Sequence, residues 1–126
     1  MLAQIIDKLD LLRASDALYA PISASTTGNN TVVDAVAGRK IRVLSAAIFA
    51  SADLTAKFKS GTAGADLTGA VPLNALTTTA LLSGATGGVV LPYSPAGWCE
   101  TASGDLLNLV LGGTGDAFGC VVYRLI

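Results

Sequence analysis

The sequence predicts an all-β fold, an antiparallel β-sandwich of jelly-roll type led by a short N-terminal amphipathic helix. Three observations carry that reading. From residue 31 onward apolar residues come in short runs that alternate or are wholly apolar, the pattern of strands rather than helices. Glycine, proline and asparagine turns separate these runs at intervals of roughly 8–14 residues, the rhythm of a sandwich. Finally, 126 residues make one domain, 52% of it apolar and only 13% charged. That is about half the roughly 25% charge of ordinary soluble domains.

Along the chain, Leu2, Ile5, Ile6, Leu9 and Leu12 recur at helical spacing, with Gln4, Asp7, Lys8, Asp10 and Arg13 on the opposite face. Residues 1–18 are therefore expected as an amphipathic helix or docking arm. So short a helix is marginal alone and needs a surface to lie on, either its own sandwich or a partner. Pro21 and the polar tract from Ser23 to Asn30 mark residues 19–30 as a linker. The sandwich is expected over 31–126.

Thr31 to Val36 forms its first short strand, and Gly38-Arg39-Lys40 turns into a longer one from Ile41 to Ala50. Strict alternation there places Ile41, Val43, Ala47 and Phe49 on one face and Leu44, Ala46, Ile48 and Ala50 on the other. Both faces are apolar, so both are expected to be covered. Leu54 to Lys59 alternates cleanly, with Leu54, Ala56 and Phe58 inward and Thr55, Lys57 and Lys59 outward. Ser60 to Gly88 suits one or two short strands and a long loop. Val89 to Leu91, Trp98 to Thr101, Asp105 to Leu111 and Ala117 to Ile126 complete about eight strands. The last is again apolar on both faces, with Val121, Tyr123 and Leu125 opposite Phe118, Cys120, Val122 and Ile126.

Composition excludes several functions. Eight Lys+Arg against nine Asp+Glu leave a net charge of -1, with no field to draw in a phosphate backbone, so no direct nucleic-acid partner is expected. There is no histidine, so imidazole chemistry is impossible. The uncharged run from Leu67 to Cys99 is broken by Pro72, Asn74, Gly84, Gly87, Gly88, Pro92, Pro95 and Gly97, and no membrane span is expected. Asp7 and Asp10 interrupt the N-terminal apolar stretch, which argues against a signal peptide and for synthesis and retention in the cytoplasm.

No enzyme, cofactor or metal is expected. Cys99 and Cys120 read as buried thiols, with a disulfide between neighbouring strands as the alternative. Asp53, Asp66, Asp105 and Asp116 sit beside turns, where carboxylates bond local backbone. They would make a calcium or sugar site only if their loops shared one end of the sandwich. Glu100 is expected to pair with a nearby Arg or Lys, and Arg39, Lys40 and Arg42 to be a solvated strand entry. The glycines of 61–64 and 84–88 lack a P-loop lysine and read as turns. Trp98 is expected as core volume; with Tyr93 it is otherwise a sugar-stacking platform.

The strings Phe58-Lys59-Ser60-Gly61-Thr62 and Leu67-Thr68-Gly69-Ala70-Val71-Pro72-Leu73 form one half of a recognisable pattern. Val90-Leu91-Pro92-Tyr93-Ser94-Pro95-Ala96-Gly97-Trp98-Cys99-Glu100-Thr101 and Gly104-Asp105-Leu106-Leu107-Asn108-Leu109 form the other. With the closing strand, residues 31–126 resemble small β-sandwich virion proteins of tailed bacteriophages, of the capsid decoration or head fibre type. The resemblance implies a structural protein of the virion, assembled in the host cytoplasm. Its expected role is capsid decoration (cement), as a homotrimer stapling neighbouring capsomers of the major capsid protein. The alternative is a receptor- or glycan-binding module of a head fibre or tail appendage, built on Tyr93 and Trp98. The residues expected at the assembly interface are Leu2, Ile5, Ile6, Leu9, Leu12, Leu44, Ile48, Phe118 and Val122.

Overall fold

The computed structural model of the chain describes Leu2, residues 16–74 and residues 88–126. Nine strands lie among the described residues: β1 (Leu18–Ala24), β2 (Gly28–Val33), β3 (Ile41–Ala50), β4 (Leu54–Ser60), β5 (Val71–Leu73), β6 (Gly88–Leu91), β7 (Cys99–Glu100), β8 (Leu107–Gly112) and β9 (Ala117–Leu125). They form a five-stranded sheet in the order β1-β9-β3-β6, with β7 also on β3, and a four-stranded sheet in the order β2-β8-β4-β5. All the pairings are antiparallel. β6 and β7 lie along the same edge of β3, so they act as one interrupted strand. Counted that way, each strand pairs with its opposite number from the far end of the chain: β1 with β9, β2 with β8, β3 with β6/β7, β4 with β5. This nested hairpin is the jelly-roll order.

The core lies between the sheets. Leu107, Leu109 and Leu111 of β8 face Ile41, Val43, Ala46 and Ile48 of β3 and Val121 of β9 in one apolar cluster, joined by Leu54, Ala56 and Phe58 from β4. The alternation expected for β4 is the one observed. An apolar gap of about 60 Å³ remains between β6 and β5, lined by Ile48, Phe58, Val71, Val89, Leu91 and others.

Three expectations are corrected here. The first concerns residues 19–30, read as a linker. Most of them are strand, because Ala20, Ile22 and Ala24 face the core with small side chains that give a weak periodic signal. Pro21 is tolerated because β1 is an edge strand, paired only with β9. The polar tract makes the β1–β2 turn, which Asn30 closes by donating Nδ2–H to Thr26 O at 2.8 Å and Gly28 O at 3.0 Å.

The second is the phase of β3. Its register against β9 shifts between Val43 and Ser45, so a β-bulge at Leu44 reverses the alternation. Ile41 and Val43 therefore share the core side with Ala46, Ile48 and Ala50, leaving Arg42, Ser45, Ala47 and Phe49 outward. Third, Leu44 and Ile48, expected at an assembly interface, are buried within the single chain. Most of the helix expected over 1–18 lies outside the described residues, and Leu18 already belongs to β1. The helix's interface residues Ile5, Ile6, Leu9 and Leu12 lie outside the described residues, and Leu2 is exposed.

Candidate assembly surface

The outward side of the five-stranded sheet is built by the positions that alternate with the core. Cross-strand register sets them in rows. Tyr19 lies opposite Val122, which lies opposite Ser45. Pro21, Cys120, Ala47 and Val90 make a second row, and Ser23, Phe118, Phe49 and Gly88 a third. The rings of Phe49 and Phe118 sit with centroids 6.3 Å apart and planes tilted by 30°, an offset pair on the sheet surface. Tyr19 is 78% exposed, Val90 62% and Phe118 40%. None of these three rows holds a charged residue. A contiguous apolar sheet face of this kind makes a candidate interaction surface.

Charge returns in the next row, where Arg124 lies opposite Arg42 and Arg42 opposite Glu100. The two adjacent guanidinium groups would repel, and each has a carboxylate. Arg42 donates Nε–H to Glu100 Oε1 at 3.0 Å, with Nη2 at 2.8 Å from the same oxygen. Arg124 Nε lies 3.0 Å from Asp16 Oδ2, an ion pair not aligned as a hydrogen bond. The pairing expected for Glu100 is thus present. The basic cluster is spent locally, since Arg39 donates to Leu125 O and Lys40 Nζ stands 3.8 Å from Glu100 Oε2.

Of the expected interface residues, Phe118 and Val122 lie on this outward face and Leu44 and Ile48 do not. Sequence reading missed Tyr19, Pro21 and Val90, the first two because they lay in the supposed linker. The cysteines take opposite sides of the sheet. Cys120 is exposed on the apolar face, against expectation, while Cys99 packs against the core beside Val43. Both are free, and β3 runs between their strands. Burial pushes the Cys99 thiol up to about 11.

Trp98 is not core volume. It is 48% exposed, on the segment joining β6 to β7. That segment runs beside the β3 bulge, where Ser94 N–H donates to Leu44 O and Trp98 N–H to Val43 O. A hollow there is lined by Arg42, Ala96, Gly97, Trp98, Cys99 and Glu100; Tyr93, although exposed, does not line it. The loop acids do not converge. Asp116 accompanies Ser51 at one end of β4, and Asp105 accepts a hydrogen bond from Ser60 Oγ at the other. Among the described residues no three Cys, Asp or Glu side chains come together to hold a metal.

Fold and surface together define a class: a jelly-roll sandwich in which, among the described residues, one sheet face is apolar and bounded by a row of ion pairs. No protein-family model matches the chain, and no curated protein matches it either.

Proposed function

We propose that this chain is a structural virion protein of a tailed bacteriophage, a capsid decoration (cement) protein working as a homotrimer. Neighbouring copies and the major capsid protein would cover its apolar surface, so that it staples capsomers by burying area rather than by chemistry. The observation that supports this reading is the outward face of the five-stranded sheet, where Tyr19, Pro21, Val90, Phe118, Cys120 and Val122 lie together without a charge. Exposed apolar area gains about 25 cal/mol per Å² when it is removed from water, which makes such a face a driving surface for assembly. The resemblance of residues 31–126 to small virion proteins gives it a context.

Cryo-EM of the intact particle tests the proposal. Density for threefold clusters of this sandwich on the capsid exterior is the expected result; its absence from the particle contradicts it. The exposure of Trp98 favours a second reading, a receptor- or glycan-binding module of a head fibre or tail appendage.

A further inference from the structure

We infer that the hollow beside Trp98 is a saccharide site, which holds one pyranose ring between the indole and the Arg42–Glu100 pair. The inference rests on the glycan-binding reading of the protein and gives that reading a location and a ligand class.

The indole is fixed before any ligand arrives. Its backbone N–H donates to Val43 O at 2.7 Å, and its ring Nε1–H donates to Pro92 O at 2.7 Å. With its polar edge satisfied internally, the exposed ring has only apolar surface and a π face to offer. A ring already held in place loses little conformational freedom on binding, so more of the contact energy is kept as affinity.

The polar side is equally set. Gly97 has φ +84°, and a Cβ there would stand 2.5 Å from Arg42 Cγ and 2.7 Å from Cδ, so the loop settles onto the arginine stem only with glycine. Arg42 then meets Glu100 through two nitrogens on a single oxygen, Oε1. Among the described residues the other oxygen, Oε2, has only Lys40 at 3.8 Å and keeps its accepting capacity. A guanidinium and a carboxylate thus line the hollow with the apolar platform, and the Lys40 ammonium stands behind them, 3.8 Å from Glu100 Oε2.

A pyranose matches that arrangement. Its C–H face is apolar and lies flat on an aromatic ring, while its adjacent hydroxyls each donate and accept. One hydroxyl donates to Glu100 Oε2 as a neighbour accepts from Arg42 or Lys40. The hollow of about 270 Å³ is just below the roughly 300–1,000 Å³ of sites for drug-sized ligands, which suits a single ring at the end or side of a chain. The Glu100 carboxylate on its wall disfavours a phosphate.

Trp98 is the only tryptophan in the chain, so its emission reports on this site alone. The test titrates the intact protein with oligosaccharides of glucose, galactose, mannose and N-acetylglucosamine, and probes a glycan array with the wild type and three variants. A saturable change in Trp98 emission with at least one sugar is expected, with Kd on the order of 1 mM for a shallow one-ring site. Trp98→Ala and Glu100→Gln should each weaken array binding at least tenfold at unchanged circular dichroism and native mass, while Trp98→Phe retains part of it. Array binding that survives both substitutions overturns the site and leaves the glycan-binding reading standing. Silence from every saccharide, in emission and on the array, overturns both.

Discussion

The two sheets share one core and turn opposite characters outward. On the four-stranded sheet the outward positions include Asn29, Thr31, Thr55, Lys57, Lys59 and Pro72, with Asn108 and Val110 between them. Lys57 pairs with Asp66 there at 3.0 Å. On the five-stranded sheet three successive outward rows are aromatic, aliphatic or small, and charge is confined to the row of Arg124, Arg42 and Glu100. The same two-residue period produces both faces, so the difference lies only in which residues fill the outward half. The low charge of the chain is therefore not spread evenly. One sheet mixes charged and polar groups along its outward face, and the other gathers its charge in one row and leaves three rows without any.

A pair of matched substitutions breaks this comparison if it is wrong. Val122→Asp puts a carboxylate on the apolar face and Val110→Asp puts one on the polar face; both valines are half-buried. Burying an unpaired carboxylate in a contact costs several kcal/mol. Val122→Asp is expected to weaken self-association at least a hundredfold, about 3 kcal/mol, and Val110→Asp to leave it unchanged. Sedimentation at several concentrations reads both.

Next in size is Asn108→Leu. Although on the four-stranded sheet, Asn108 is fully buried; its Oδ1 accepts from Asn30 N–H, and its Nδ2 donates to Asn29 Oδ1 and Gly61 O. Leucine would strand those partners at a cost of about 2–3 kcal/mol, visible in chemical denaturation. The native mass should not move, since this node ties strands within one chain.

Thiol labelling sharpens the contrast from the other side. Cys120 lies on the apolar face, and its reaction should slow as concentration drives association. Cys99 should stay unreactive near neutral pH in either state, because its thiolate forms only as pH nears about 11. The sign for stability follows. A thiol held above its ordinary 9.0 favours the fold below pH 9, and this contribution fades as pH climbs from 9 to about 11. Denaturation at pH 8 and pH 11 for the wild type and Cys99→Ser would separate it from general alkaline effects. The smallest effect is expected for Lys57→Ala, which removes an exposed ion pair worth about 0.5 kcal/mol or less.

Much of the fold was legible in the sequence because long, regular strands advertise themselves. β3, β4 and β9 match the expected strands to within a residue. What escaped notice was irregular. The bulge at Leu44 reverses the faces of β3, and nothing in an unbroken apolar run announces such a shift. β1 hid behind Pro21 and alanines, whose edge position and tight packing become visible only once β9 lies beside them. Trp98 was assigned to the core by size alone, whereas the hydrogen bond from its ring to Pro92 O depends on how the loop folds back. The site was legible in pieces. Phe118, Val122 and the pairing of Glu100 could be foreseen, while the union of Glu100, Arg42 and Trp98 required the register of β7 on β3.

The central claim is that the outward face of the five-stranded sheet is covered by another copy of this chain. The native mass of the unmodified protein across the micromolar range tests it most directly. A trimer that dissociates on Phe118→Asp, with the circular dichroism of the fold retained, is the predicted result. A wild-type protein that remains a soluble monomer throughout that range would contradict it.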